Sequence, residues 1–227
     1  MMSSDSYNID DRYPADTQLK FVGAITASVT HELNNIISIL NQTGGLLDDM
    51  LAGAEQDISI KSERLRKIAD RIRIQTERGI NIIKRLNSFA HSGDQSFGTF
   101  DLNELMENLG ALLERFVTLR GASLSMELSS ESLELTNNPL AVQQIIFLSL
   151  KIILRDTQKN EAVIISTNGT ETGRKIKLLL KADRECKAPD ISELESYAEG
   201  IDAKLVPGQD EKGASIEINL PRTAKSG

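Results

Sequence analysis

Two long amphipathic segments near the N-terminus constrain the fold of this 227-residue chain more than any other feature. Apolar residues recur at steps of three and four from about 18 to 50 and again from about 59 to 90, the period of helices buried along one face. Residues 52–58 interrupt the pattern and predict a turn, so the two segments predict an antiparallel helical hairpin. Because both apolar stripes are wide, we expect two copies to pair as a four-helix bundle, which makes the protein a homodimer.

The rest of the chain predicts a second domain of mixed helix and strand. Asp101 and Asn138 are candidate helix N-caps, and Pro139 suits the first position of the second of these helices. We expect an α+β sandwich with its helices on one face of a sheet. The expected organisation is a flexible tail over 1–15, the hairpin over 16–91, a polar linker over 92–99, the α+β domain over 100–222 and a tail over 223–227.

Composition excludes several kinds of site. The single cysteine, Cys186, excludes an internal disulfide framework and a cysteine-cluster zinc site, and two histidines leave little for a histidine-rich metal site. No apolar run approaches the ~20 residues of a membrane span, and the polar N-terminus does not have the apolar core of a secretory signal. We therefore expect a cytoplasmic protein without a membrane partner.

Charge is unevenly distributed along the chain. The formal net charge is -7, yet residues 61–85 hold nine basic and three acidic residues. Within this stretch Arg64, Arg71, Arg78 and Arg85 repeat every seven residues, which favours a solvated edge of the bundle. A docking surface for an acidic protein is the alternative. No aromatic residues are interleaved to stack on bases, so we expect no nucleic-acid partner.

His31 is the strongest candidate for chemistry. It lies about 200° around the helix from Val29, away from the apolar stripe, so its side chain should face solvent. An exposed imidazole keeps a neutral fraction at cellular pH and can act as a nucleophile. Glu32 is adjacent and could accept a proton from His31 or fix its tautomer. Asn35 lies about one turn further on, where its amide could orient a water or a phosphoryl oxygen. An isolated histidine with such exposure is more often an ordinary surface residue.

The segment around His31 resembles the H-box of the dimerisation and histidine-phosphotransfer domain of two-component sensor histidine kinases. That box has the form H-E-x-x-N/T within an apolar-periodic helix, matched here by His31, Glu32 and Asn35. Residues 100–126, Asn138-Pro139 with Gln144, and 200–221 resemble parts of a histidine-kinase ATP-binding domain. The resemblance implies that His31 carries a phosphoryl group. Ile36 stands where a proline often follows the box.

The second domain departs from the family at its nucleotide site. Where the resemblance implies asparagines that hold Mg²⁺ and nucleotide, this chain has Leu148 and Ile152. Neither offers the oxygen ligands that a hard cation requires. Asp183 is followed by Arg-Glu-Cys-Lys without the glycines expected at the adenine-contacting turn, and the glycine-rich lid has no counterpart. We expect a degenerate ATP-binding domain, and therefore no cofactor or metal bound by this chain.

These features favour a histidine phosphotransfer protein of a phosphorelay. His31 would carry a phosphoryl group between receiver-domain aspartates, and the partner receiver would supply Mg²⁺. In that reading Glu32 tunes His31, Asn35 assists the phosphoryl group, and no ATP-dependent autokinase activity is expected. One alternative is the catalytic region of a sensor histidine kinase with atypical nucleotide binding. Another is a non-catalytic dimeric scaffold for a response regulator. A phosphatase would depend on Asn35 more than on His31.

Overall fold

The N-terminal part of the chain is a pair of long helices. The computed structural model describes residues 17–54, 61–94, 97–210 and 213–224. Helix α1 (Thr17–Ala54) and helix α2 (Ser62–His91) pack against each other, which confirms the helical hairpin. Helix α1 runs four residues beyond the expected end, and the remainder of the expected turn lies outside the described residues, as does the expected tail at 1–15. Of the expected tail at 223–227, Thr223 and Ala224 pair with Thr136, and the rest lies outside the described residues.

The fold buries part of the predicted apolar stripe of α1. Ile25, Val29 and Ile36 of this stripe and the nearby Phe21 are all less than 5% exposed, while Leu33, Leu40 and Leu47 of the stripe are half-buried.

Arg64, Arg71 and Arg78 of the basic stripe are exposed, as expected for a solvated helix edge, and Arg85 is half-buried. Other charged residues of α2 pair with each other, as Lys67 does with Glu63, and such exposed pairs contribute little stability.

The second domain combines helices and two sheets in an α+β arrangement. Its elements are β1 (Gly98–Asp101), α3 (Leu102–Thr118), β2 (Ser123–Glu127), β3 (Glu134–Asn137), α4 (Pro139–Asp156), β4 (Ala162–Gly169), β5 (Gly173–Lys181), a 3-10 turn (Ser192–Leu194), α5 (Glu195–Glu199), β6 (Lys204–Asp210) and β7 (Gly213–Pro221).

The main sheet has the strand order β2-β4-β5-β7-β6. Strand β2 is parallel to β4, with Leu124 opposite Val163, and the other neighbours are antiparallel. Helix α3 packs over β2 and β4, and α4 packs over β5 and β7. Buried residues alternate along β4 and β5, as expected for a sheet with one face on the core. This is the α+β sandwich that the sequence predicts.

A small second sheet is the feature that the sequence pattern missed. Strands β1 and β3 pair antiparallel, with Phe100 opposite Leu135. Strand β1 begins at Gly98, inside the region expected to be a linker. Each strand has only four residues, several of them polar, so neither shows the apolar alternation that identifies a strand. Their pairing joins distant parts of the chain.

Both predicted helix caps are confirmed. Asp101 Oδ1 accepts hydrogen bonds from the backbone N–H groups of Asn103 (2.7 Å) and Glu104 (3.3 Å) at the start of α3. Asn138 Oδ1 accepts one from Ala141 N–H (3.0 Å) at the start of α4, where Pro139 is the first helical residue. The caps satisfy N–H groups that have no partner within their own helix.

The Asp101 cap predicts a pH-dependent contribution to stability. The Ser132 hydroxyl donates to Asp101 Oδ2, and this hydrogen bond lowers the pKa of the Asp101 carboxyl below its ordinary value. Since the folded-state pKa is the lower one, the stability is present above the unfolded-state pKa of about 4 and is lost as the pH falls through the folded-state value. We expect Ser132→Ala to lower the free energy of unfolding by about 1 kcal/mol at pH 7 and by less at pH 3.

Urea unfolding of both proteins at the two pH values measures this difference. Ser130→Ala, which alters an exposed hydroxyl of the same loop, is the matched control. An equal loss for Ser132→Ala at pH 7 and pH 3 would contradict the electrostatic origin of the effect.

Candidate functional site

His31 lies on the outer surface of the hairpin. Its side chain is exposed on α1, while Val29 and Ile36 of the same helix are buried. The helical period that predicts the buried stripe therefore also predicts the exposure of the imidazole correctly. An imidazole on a rigid helix surface is accessible to a second protein in a fixed orientation.

Asn35 is the residue that contacts the His31 ring. Asn35 Nδ2 lies 3.2 Å from His31 Nδ1, one helical turn along α1. A half-turn of the amide places Oδ1 at the same position, where it accepts a hydrogen bond from Nδ1–H. In both arrangements the amide engages Nδ1, and no residue that the structure describes hydrogen-bonds Nε2. Nε2 is the open ring nitrogen in both arrangements, and it has a free lone pair when Asn35 Oδ1 accepts from Nδ1–H.

Glu32 faces the second helix rather than the imidazole. Its carboxylate forms an ion pair with the Arg78 guanidinium on α2. The Glu32 side chain is 21% exposed and that of Arg78 is 55% exposed, so the pair lies at the surface of the hairpin. The structure thus brings His31 and Asn35 together and places Glu32 with Arg78. The sequence pattern predicts Arg78 only as part of the solvated edge. It does not predict the pairing of Arg78 with Glu32, because that pairing depends on the register of two antiparallel helices.

Helix α4 is buried at the positions where the family resemblance implies a nucleotide site. Leu148 is 2% exposed and Ile152 is 6% exposed, and both belong to the hydrophobic core. Every residue from 142 to 150 is buried. Side chains of the segment that follows β5, among them Leu194 and Ile201, lie in the same core. In the described part of the domain, α4 therefore packs against apolar side chains of the same domain.

Two ion pairs connect the segment that follows β5 to the end of α4 and to the residue before β4. Arg184 Nε lies 2.8 Å from Glu161 Oε1, and Arg184 also donates to the backbone carbonyl of Asp156. Arg155 on α4 contacts both carboxylate oxygens of Glu193, at 3.2 and 3.0 Å. Paired N–H···O bonds of this kind fix the orientation of the two groups.

The donor chemistry of this region does not fit a magnesium nucleotide. The side chains of Leu148 and Ile152 have no oxygen atom to offer a metal ion, and both lie among apolar side chains of the core. Among the described residues, no group of three His, Cys, Asp or Glu side chains is placed to hold a metal ion.

One polar atom in α4 predicts a stabilising substitution. Ser149 is fully buried, and its Oγ has no hydrogen-bond partner. A buried hydroxyl without a partner costs about 1–3 kcal/mol, and alanine also favours a helix. We expect Ser149→Ala to raise the free energy of unfolding by about 1 kcal/mol, which corresponds to a Tm increase of roughly 2–4 °C for a chain of this size.

Calorimetry of Ser149→Ala and of Ser38→Ala separates the penalty of the buried hydroxyl from the higher helix propensity of alanine, because Ser38 is an exposed helical serine. Ser38→Ala reports helix propensity alone. A Tm change for Ser149→Ala no larger than that of Ser38→Ala would show that the hydroxyl carries no penalty.

An aromatic cluster joins the base of the hairpin to the second domain. The ring of Phe21 on α1 lies 5.3 Å from that of Phe89 on α2 and 5.0 Å from that of Phe147 on α4. Phe116 of α3 contacts Phe147 edge-on at 5.2 Å. At the start of α1, Thr17 Oγ1 lies 2.7 Å from the Tyr197 hydroxyl on α5. The hairpin and the second domain therefore share one continuous core.

Comparison with solved structures identifies this combination of hairpin and sandwich. A histidine kinase from Burkholderia phymatum STM815 superposes with a TM-score of 0.50 over 93% of this chain and 100% of that chain, at 8% sequence identity. The chain has the histidine-kinase fold.

Other histidine kinases give similar values at low identity. The histidine kinase ThkA, solved in complex with the response regulator protein TrrA, matches with a TM-score of 0.48 and 19% identity, over 91% of this chain and 63% of that one. The Acinetobacter baumannii histidine kinase AdeS matches with a TM-score of 0.45 and 12% identity, over 85% and 98% of the two chains. No protein-family model and no curated protein matches the sequence.

Within this histidine-kinase fold, the helices of the described residues are not membrane-spanning segments. None of them is both long enough and apolar enough to cross a bilayer.

Proposed function

We propose that this chain is a phosphotransfer component of two-component signalling, with His31 as the residue that carries the phosphoryl group. The observation that supports this most directly is the exposed imidazole whose Nδ1 is engaged by Asn35, with Nε2 open to a partner. The histidine-kinase fold agrees with it. We assign the exchange to the cytoplasm.

The proposed donor is an aspartyl phosphate on a receiver domain of a response regulator. The Nε2 lone pair of His31 forms the P–N bond, while the P–O bond to the aspartate breaks and its electron pair stays on the released carboxylate. The Nδ1 proton remains on the ring, held by Asn35 Oδ1. Mg²⁺ bound by the receiver would neutralise the charge of the phosphoryl group, and this chain holds the His31 imidazole in position for the transfer. The reverse reaction passes the phosphoryl group to a second receiver.

The burial of α4 supports a protein donor over ATP. Leu148 and Ile152 lie in the core, and Leu194 and Ile201 of the segment after β5 lie in the same core. A donor that arrives with its own metal ion avoids the need for a metal site on this chain.

Exposed apolar residues on the hairpin support a homodimer. Large aliphatic side chains that are 37–53% exposed in the single chain lie along both helices, and a second hairpin would cover them as a four-helix bundle. They are Ile37, Leu46, Leu51, Leu65, Ile72, Ile74, Ile80 and Ile83.

The second candidate is the catalytic region of a sensor histidine kinase with an atypical nucleotide site. The fold likeness extends over 93% of the chain and involves histidine kinases, so the comparisons agree better with this alternative than with a phosphotransfer protein that has no ATP site. It predicts binding of Mg-ATP and labelling of His31 without a partner.

Two measurements on the full chain distinguish the candidates. The first is calorimetric titration with Mg-ATP, in which we expect no heat of binding at millimolar nucleotide. The second is incubation with receiver domains labelled by radioactive acetyl phosphate, in which we expect acid-labile, alkali-stable label on the chain. Micromolar binding of Mg-ATP followed by self-labelling would overturn the phosphotransfer proposal in favour of the kinase. Receiver binding without any labelling would indicate a scaffold, and loss of label from the receiver as free phosphate would indicate a phosphatase.

A further inference from the structure

A cavity lies where the end of the hairpin meets the second domain. It has a volume of about 270 Å³ and is lined by the last turn of α2, by β1 and by the first turns of α3 and α4. Ser88 borders it ten residues along α2 from Arg78, which is roughly 15 Å of helix. The cavity is therefore separate from the surface around His31. Its size suits a small molecule or a single side chain.

The wall of this cavity contains a buried amide without a partner. Gln143 of α4 is only 4% exposed and lines the cavity, and no described residue hydrogen-bonds its side chain. The oxygen and nitrogen of this amide are not among the polar atoms that the fold shuts off from solvent without a partner, so a ligand or water in the cavity can complete their hydrogen bonds. Gln143 is thus an independent sign that the cavity accommodates a polar group.

The other polar groups of the cavity are mainly acceptors. Glu104 lies exposed on α3 and forms no ion pair with a described residue. Asn108 donates through Nδ2 to Ser88 Oγ at 3.3 Å, which leaves its carbonyl oxygen available. The Asp101 carboxylate is already engaged by the α3 cap and Ser132, yet its charge remains nearby.

No lysine or arginine lines the described wall, and the one cationic candidate is already paired. His91 Nδ1 lies 2.7 Å from Asp94 Oδ2. Apart from the His91–Asp94 pair, the charged side chains of the wall are therefore the carboxylates of Asp101 and Glu104, which favour a ligand that carries positive charge and several N–H donors.

Apolar side chains form the remaining walls. They include Phe89, Phe100, Leu105 and Leu109. Aromatic rings attract guanidinium groups across their faces, and aliphatic walls suit a short methylene stem.

We propose that this cavity binds an alkylguanidinium group, with Glu104 and the amides of Asn108 and Gln143 accepting its N–H donors. The group belongs either to a free small molecule or to an arginine side chain of a protein. Because the cavity is bounded by α2 on one side and by α3 and α4 on the other, an occupant contacts the hairpin and the second domain together.

Butylguanidinium is the probe that tests the site, with the neutral isostere butylurea beside it. We expect saturable binding of butylguanidinium to the full chain with a Kd of about 1 mM, the range for so small a ligand, and shifts of the Gln143 side-chain amide signals in NMR spectra. Butylurea should show no saturable binding. N-acetyl-arginine methylamide distinguishes the two sources: tighter binding than butylguanidinium indicates a protein side chain, and exclusion indicates a free small molecule.

Glu104→Gln is the decisive variant because an exposed residue can change without loss of the fold. We expect it to weaken butylguanidinium binding about 10-fold, and Gln143→Leu to abolish the binding. Glu107→Gln removes an exposed carboxylate of the same helix that does not line the cavity, and it should leave Kd unchanged. Equal binding of butylurea, an equal effect of Glu107→Gln, or no saturable binding by the folded wild-type chain would overturn the proposal.

Discussion

Replacing His31 with glutamine is expected to abolish acid-labile labelling of the chain by a phosphorylated receiver. Glutamine retains a polar side chain for the exposed surface of α1 but has no nucleophilic nitrogen. Because His31 is exposed, the free energy of unfolding should change by less than about 0.5 kcal/mol. The measurement is transfer of radioactive phosphate from a receiver, followed by acid and alkali treatment of the labelled chain.

His91→Gln is the matched control, because it changes the other histidine of the chain. Labelling should persist at the wild-type rate in this variant. Asn35→Ala removes the amide that engages Nδ1, and we expect it to slow labelling about 10- to 100-fold without abolishing it. Label that survives in His31→Gln, or that disappears in His91→Gln, would reject His31 as the acceptor.

Truncation of Phe147 to alanine should have the largest effect on stability. Its side chain is 4% exposed and contacts the rings of Phe21 and Phe116, so the change removes ring contacts on two sides and leaves a cavity. Core phenylalanine truncations of this kind cost about 3–5 kcal/mol. We expect a loss of that size in the free energy of unfolding, measured by urea denaturation of the full chain.

Phe97→Ala provides the comparison for this variant, since Phe97 is 36% exposed. Its truncation should cost less than about 1 kcal/mol. If the two variants lost similar stability, the aromatic cluster would not be the structural junction described above. Increased hydrogen exchange at the start of α1 in Phe147→Ala would show that the loss extends into the hairpin.

The features that the sequence predicts well depend on local pattern. The hairpin follows from a period of three and four residues, and the caps at Asp101 and Asn138 follow from side chains that reach backbone N–H groups nearby. The exposure of His31 follows from the same helical period. Each of these interactions lies within a few residues along the chain.

The features that the sequence misses depend on distant segments meeting. The pairing of β1 with β3 joins short polar strands separated by α3 and β2. The partner of Glu32 is Arg78, and that pairing requires the register of α1 against α2. Leu148 and Ile152 could be recognised as unsuited to Mg²⁺ from their chemistry alone. The packing of Leu194 and Ile201 over α4 could not be predicted in the same way, because it joins segments that are distant along the chain.

The aromatic junction between Phe21, Phe89 and Phe147 determines the kinetic order expected for the proposed reaction. In a chain whose two parts swing apart, an internal donor can reach the histidine in a first-order step that does not depend on concentration. Here the base of the hairpin is packed into the core of the second domain. Labelling of His31 should then be second order, with a rate proportional to the concentration of the incoming receiver until binding saturates. The speed of the signal would be determined by how many receiver molecules the cell provides.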